Sequence, residues 1–171
     1  MSTVVVFLAT FVAMEGVAYA AHRWVMHGRG IIWHASHHAP ARRRVERNDL
    51  FPVCFSVVGV ALAITASTGV APAWSWPVMA GVTAYGMAYL AVHEIVIHRR
   101  VPLPVPDLRY LRWLRDSHRA HHVDSGEPFG MLLPVMPAAD RQRVAQARQR
   151  ASNLEVDRLR RASARPMRSR L

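Results

Sequence analysis

The stretch AYGMAYLAVHEIVIHRR, residues 84–100, decides how the chain folds. It is uncharged up to Val92, then presents His93 and His98 five residues apart around Glu94, and stops at Arg99 and Arg100. A long apolar helix that ends in polar, metal-capable side chains and paired arginines reads as a membrane span reaching an interface. Outward from this point the apolar run begins at Trp74 and Trp76, two candidate interfacial anchors, so the span is residues 74–97. Residues 50–70 carry no charge, open behind Asn48 and Asp49 as candidate helix caps, and end at Thr68 and Gly69 before Pro72. Residues 3–21 are interrupted only by Glu15. At about 1.5 Å per residue each run is long enough to cross roughly 30 Å of hydrocarbon. The expected fold class is therefore all-α, an integral-membrane helical bundle of three spans; a fourth, re-entrant pass near residues 129–136 is the alternative.

All 22 basic residues are arginine, against 11 acids, giving a net charge of +11. They are segregated: residues 22–49 and 99–171 hold every arginine, and the apolar runs hold none. Such a charge raises nucleic acid as a partner, but long apolar runs beside the basic ones favour a bilayer with anionic headgroups, and no nucleic-acid partner is expected. The six arginines of 22–49, Arg23, Arg29, Arg42, Arg43, Arg44 and Arg47, place that loop in the cytoplasm. Three spans then put everything after residue 98 on the same side, and the expected location is the inner (cytoplasmic) membrane. The N-terminal run has no basic segment before it, which reads as an anchor and not a removed signal. The single Cys54 excludes an internal disulfide and multi-cysteine metal sites, and reads as core packing. Residues 138–171 are Arg-rich, with Val144, Ala147, Ala151 and Leu154 at three- and four-residue steps. They are expected to form a basic amphipathic helix and a tail frayed after about Arg161, solvated or lying on lipid, behind a membrane-embedded unit of residues 1–137.

The chemistry lies in the ten histidines, which fall into four boxes with none left over: His22 and His27; His34, His37 and His38; His93 and His98; His118, His121 and His122. On an α-helix, positions i+3 and i+4 lie about 300° and about 40° round from i, so each HxxHH triplet fits within about a 100° arc and can converge on one point. Positions i and i+5 lie about 140° apart, so each HxxxxH pair either serves two centres or sits where its helix ends. Topology brings all four boxes to one membrane face. Neutral imidazole is a ligand for Zn, Cu, Fe and Ni, and ten nitrogens are too many for one ion, which implies two. The donor set alone does not separate iron from zinc.

Metal-bound imidazoles usually donate their other N–H to a carboxylate or carbonyl. Asp116, Asn48, Asp49 and Glu15 are candidates for that role. Asn48 and Asp49 read equally as helix caps and Asp116 as a surface partner of Arg112 or Arg119. An intramembrane Glu15 has no such easy alternative.

The segments GVAYAAHRWVMHG (16–28), WHASHHAP (33–40), ERNDLFPV (46–53), AYGMAYLAVHEIVIHRR (84–100) and HRAHHV (118–123) together resemble the bacterial β-carotene 3-hydroxylases of the membrane fatty acid hydroxylase superfamily. The likeness covers roughly residues 10–135. It implies a monooxygenase with a non-haem di-iron centre, O2 as co-substrate, a ferredoxin-type electron donor and a carotenoid substrate. The implied reaction is hydroxylation at C3 of a β-ring, from β-carotene through cryptoxanthin to zeaxanthin, with canthaxanthin to astaxanthin as an extension. All ten histidines are the implied iron ligands. Two departures are Glu94, where Asp is expected, and a short segment VDSGEPFGMLLP after His122, which bears on substrate fit. A fatty acyl or sterol substrate at the same boxes is the first alternative. A non-catalytic metal- or haem-binding membrane protein is the second. No nucleophilic triad or phosphate-binding glycine loop is present.

Overall fold

A computed structural model describes residues 2–39, 45–135 and 141–163. Helix α1, Thr3–Ala20, runs on through a π-helical segment, Ala21–Arg29, and a kink at Gly28 leads into α2, Ile31–His38. A 3-10 turn, Arg47–Asp49, opens α3, Leu50–Ser67. Helix α4, Ser75–Leu90, likewise continues into a π-helical segment, Ala91–Ile97; α5 is Arg109–Asp124 and α6 is Arg141–Ser163. There is no β-strand among the described residues.

Three of these helical stretches, Thr3–Arg29, Arg47–Ser67 and Ser75–Ile97, are long and apolar enough to cross a membrane, as the sequence predicts. Their apolar side chains face outward: α1 buries no residue, and Val4, Val5, Leu8 and Val12 are all exposed. In a bilayer such faces meet acyl chains, so the helices associate by close packing and not by hydrophobic exclusion. Gly81 permits a close approach of α4 to α1, since a Cβ there would lie 2.8 Å from the Phe7 carbonyl oxygen and 2.8 Å from Thr10. Beside it, the Phe11 ring meets Tyr85 edge-on at 5.7 Å. Helix α4 packs on α1 and on α3, and α5 packs on α6.

Several expectations are corrected. Cys54 is exposed on α3, not core packing, because the outward face of a membrane helix is as apolar as its inward one. The fourth pass is not a helix. Residues 126–135 form an irregular strap lying back along α1, with Glu127 beside Tyr19 and Arg23 and the N–H groups of 131–133 at Glu15. Gly and Pro in GEPFGMLLP oppose a helix there. The C-terminal helix is present, and Val144 and Ala147 pack on Ala120 of α5 while Leu154 is exposed. Residues 164–171, where fraying was expected, lie outside the described residues, as does the 137/138 boundary.

Candidate metal centre

His22 and His27 lie in the first π-helical segment, and His93 lies in the second, which His98 caps. There the backbone bonds from i+5 to i, as His98 N to the His93 carbonyl at 3.0 Å shows. The wider turn brings i and i+5 onto one face, so the 140° separation of an ordinary helix does not apply. His22 and His27 face one centre together, and so do His93 and His98.

The triplets behave in the opposite way, each dividing between two centres and not converging on one. His22, His27, His34, His38 and His121 present ring nitrogens all within 4.8 Å of one another, and so do His37, His93, His98 and His118. His122 joins the second group, its Nε2 lying 3.2 Å from that of His37 and 2.9 Å from that of His118. Helix α2 thus gives its i and i+4 histidines to the first group and its i+3 to the second, and α5 does the reverse. The 300° and 40° offsets explain it, because i and i+4 lie on one side of the arc and i+3 on the other. The groups adjoin, with the His38 and His122 rings stacked at 4.4 Å.

On five of the rings the nitrogen turned away from these centres is held by an acceptor. His22 Nδ1–H donates to the Phe129 carbonyl at 2.9 Å, His34 Nδ1–H to Asn48 Oδ1 at 2.7 Å, and His121 Nδ1–H to the Gly126 carbonyl. In the second group His37 donates to Glu46 at 3.2 Å and His93 to Glu94 at 2.6 Å. An acceptor at Nδ1 fixes the proton there and leaves Nε2 a bare lone pair. Yet His22 and His34 bring Nε2 to within 3.2 Å of each other, and His37 and His93 to within 3.1 Å. Two lone pairs at that distance repel unless a cation lies between them. Ligands about 2.1 Å from one metal are separated by about 3.0 Å at neighbouring coordination positions, so the residues fit metal ions.

Burial keeps the rings outside the membrane-spanning stretches neutral. It pushes His34 and His38 down to about 4, His98 to about 3, and His121 and His122 to about 2, with repulsion from neighbouring rings adding to the effect. His37 and His118 are lowered further for the same reason. Neutral imidazole is the ligating form, so no proton has to leave before a metal binds at neutral pH. Aromatic rings close the sides: Phe129 lies edge-on to His22, His27 and His121 at 5.2–5.4 Å, and Tyr89 stacks on His93 at 5.5 Å.

The remaining candidates fall out unevenly. Asn48 partners His34, and Asp49 completes a capping box with Glu46 and accepts both Arg100 N–H groups at 2.8 and 2.9 Å. Asp116 is exposed and reaches no histidine; it lines a cavity of about 460 Å³ between α5 and α6 that contains no histidine. Glu15 serves the strap. Its carboxylate accepts the N–H groups of Met131, Leu132 and Leu133 at 2.9–3.1 Å and the Tyr85 hydroxyl at 2.7 Å. Sequence reasoning missed Glu46, Glu127 and the two strap carbonyls. For Glu94 its place directly after His93 was an available signal; for the carbonyls there was none.

The fatty acid hydroxylase profile matches residues 7–141, which span every box and the whole strap. The chain belongs to the fatty acid hydroxylase family. Within it, this hydroxylase-family chain is 39% identical over 139 residues to a beta-carotene hydroxylase of Pseudescherichia vulneris, covering 77% of this chain and 76% of that one. It is 40% identical over 131 residues to a beta-carotene hydroxylase of Pantoea ananas, covering 72% of each. A chloroplastic beta-carotene 3-hydroxylase of Arabidopsis thaliana is 35% identical over 71% of this chain and 42% of its own longer length. No solved structure matches this family member.

Proposed function

We propose that this chain is a non-haem di-iron monooxygenase that hydroxylates C3 of carotenoid β-rings, converting β-carotene through cryptoxanthin to zeaxanthin. The observation that carries the reading is the 39–40% identity to two bacterial beta-carotene hydroxylases across about three quarters of each chain. The doubled histidine cluster supports it with a donor set for two ions. In this reading His22, His27, His34, His38 and His121 hold one iron, and His37, His93, His98, His118 and His122 hold the other. When bound, two such ions supply the activation of O2 and the insertion of one oxygen atom into a C–H bond, the other atom leaving as water. That balance needs two electrons and two protons from outside, for which a ferredoxin-type protein is the donor proposed.

The chain's own contribution is placement. Glu46, Glu94, Asn48 and the strap carbonyls fix the ring tautomers, and Phe129 and Tyr89 limit water around the rings. A C40 polyene is about as long as the hydrocarbon layer is thick, so its terminal ring lies near an interface, where the ends of α1 and α4 bring the first histidines. The arginine distribution supports a cytoplasmic location for that face in an inner membrane. Residues 1–137 form the catalytic unit in this reading, and 138–171 a basic amphipathic helix and C-terminal tail, of which α6 packs on α5.

Expression in a bacterial host that makes β-carotene tests the reading. Cryptoxanthin and zeaxanthin should appear in the pigment extract, and a canthaxanthin-producing host should yield astaxanthin. Untouched carotenoid together with hydroxylated acyl chains or sterols would reject the carotenoid assignment.

A further inference from the structure

The two histidine groups have the same number of rings from exchanged positions, but the acceptors behind the rings differ. Behind His22, His34 and His121 they are neutral: two backbone carbonyls and an amide oxygen. Behind His37 and His93 they are the carboxylates of Glu46 and Glu94. Asp49 adjoins these two, and Arg100 bridges Asp49 and Glu94 at 2.8–2.9 Å. Among the described residues, three carboxylates there share one guanidinium, which leaves net negative charge at the second group. Near the first group, Glu127 is matched by Arg23 at 2.7 Å, and Glu15 spends its charge on the strap's N–H groups.

We propose that the two metal positions are unequal in affinity, the carboxylate-backed position of His37 and His93 holding its ion more tightly than the carbonyl-backed position of His22 and His34. The inference rests on the two-ion reading above. A carboxylate accepting Nδ1–H pushes electron density onto the ring and makes Nε2 a stronger donor, whereas a carbonyl does so less. The extra negative charge also attracts a divalent cation directly, in a site that burial shields from water. Losing such an outer partner typically changes metal affinity by about tenfold to a hundredfold, which sets the size of the expected gap.

The test uses the full chain in detergent, loaded anaerobically with Fe(II) and titrated with a competing chelator while bound iron is counted. Two ions should leave in two steps separated by about tenfold to a hundredfold in chelator. Glu94→Gln, close to isosteric, should bring the later step toward the earlier one. Asn48→Asp, which places a carboxylate behind His34, should bring the earlier step toward the later. In each variant the unaltered step reports that the fold is intact. Coincident steps that neither substitution separates or shifts overturn the inequality while leaving the two-ion reading in place. A wild-type chain that never holds more than one iron overturns the reading beneath it.

Discussion

Around His22 and His121 the outward ring nitrogens meet the carbonyls of an irregular strap, which Glu15, Tyr19, Arg23 and Tyr110 tie to the rest of the chain. Around His93 and His37 they meet the carboxylates of Glu94 and Glu46, the first ion-paired to Arg100, which also holds Asp49. The first group therefore depends on a loop staying folded against a membrane helix, and the second on charges staying paired. Near-symmetric donor sets do not make symmetric sites, and each group should fail by its own route.

The largest break in the comparison removes a ligand from either side. His37→Ala and His121→Ala each take one ring from one group, and each should abolish hydroxylated product and remove at least half of the bound iron, counted against protein. Full activity in either variant would reject the assignment. Next in size is Glu15→Ala, which releases three strap N–H groups and a tyrosine hydroxyl that then lack an acceptor. Each such group left buried costs about 1–3 kcal/mol. Product formation should fall by more than about tenfold on that basis, and iron should be lost first from the His22 group. Equal loss from both groups would show that the strap supports the two alike.

Acid sharpens the comparison more gently. Burial holds His34 and His38 at about 4 where a free ring lies near 6.5, so below 6.5 the unfolded chain takes up protons that the folded one refuses. Stability of the metal-free protein is then full above about pH 6.5 and declines as pH falls toward about 4, visible as a falling Tm in detergent. A flat Tm across that window would contradict the buried, neutral rings. The smallest effect belongs to Arg143→Ala, whose half-exposed guanidinium pairs with Asp124 at 2.6 Å and joins α6 to α5 without touching a histidine. It should change Tm by little, as surface pairs contribute about 0–1 kcal/mol, and leave bound iron unchanged.

Much of this was legible from residue order. The spans show because apolar runs long enough for a bilayer are rare otherwise, and the boxes show because histidine is scarce and here repeats in format. The order of residues hid local geometry. A periodicity of 3.6 residues per turn made the pairs at 22 and 27 and at 93 and 98 look divergent, whereas the backbone widens under them. Likewise an arc of about 100° can serve one point or straddle two, and only the tertiary placement of α2 and α5 decides. Backbone carbonyls leave no mark in sequence, so the Phe129 and Gly126 acceptors could not be foreseen, and the visible acid Asp116 drew attention that belonged to Glu46 and Glu94.

The π-helical turns make ring placement a matter of residue count as well as residue type. Deleting Val25, between His22 and His27, would leave the two histidines four positions apart, about 40° round an ordinary helix, so the pair could still share a face once the backbone relaxed to ordinary pitch. A homologous chain shortened by one residue at either turn can therefore hold the same pair of imidazoles on an ordinary helix, and a one-residue gap there in an aligned sequence is not by itself the mark of a silent relative.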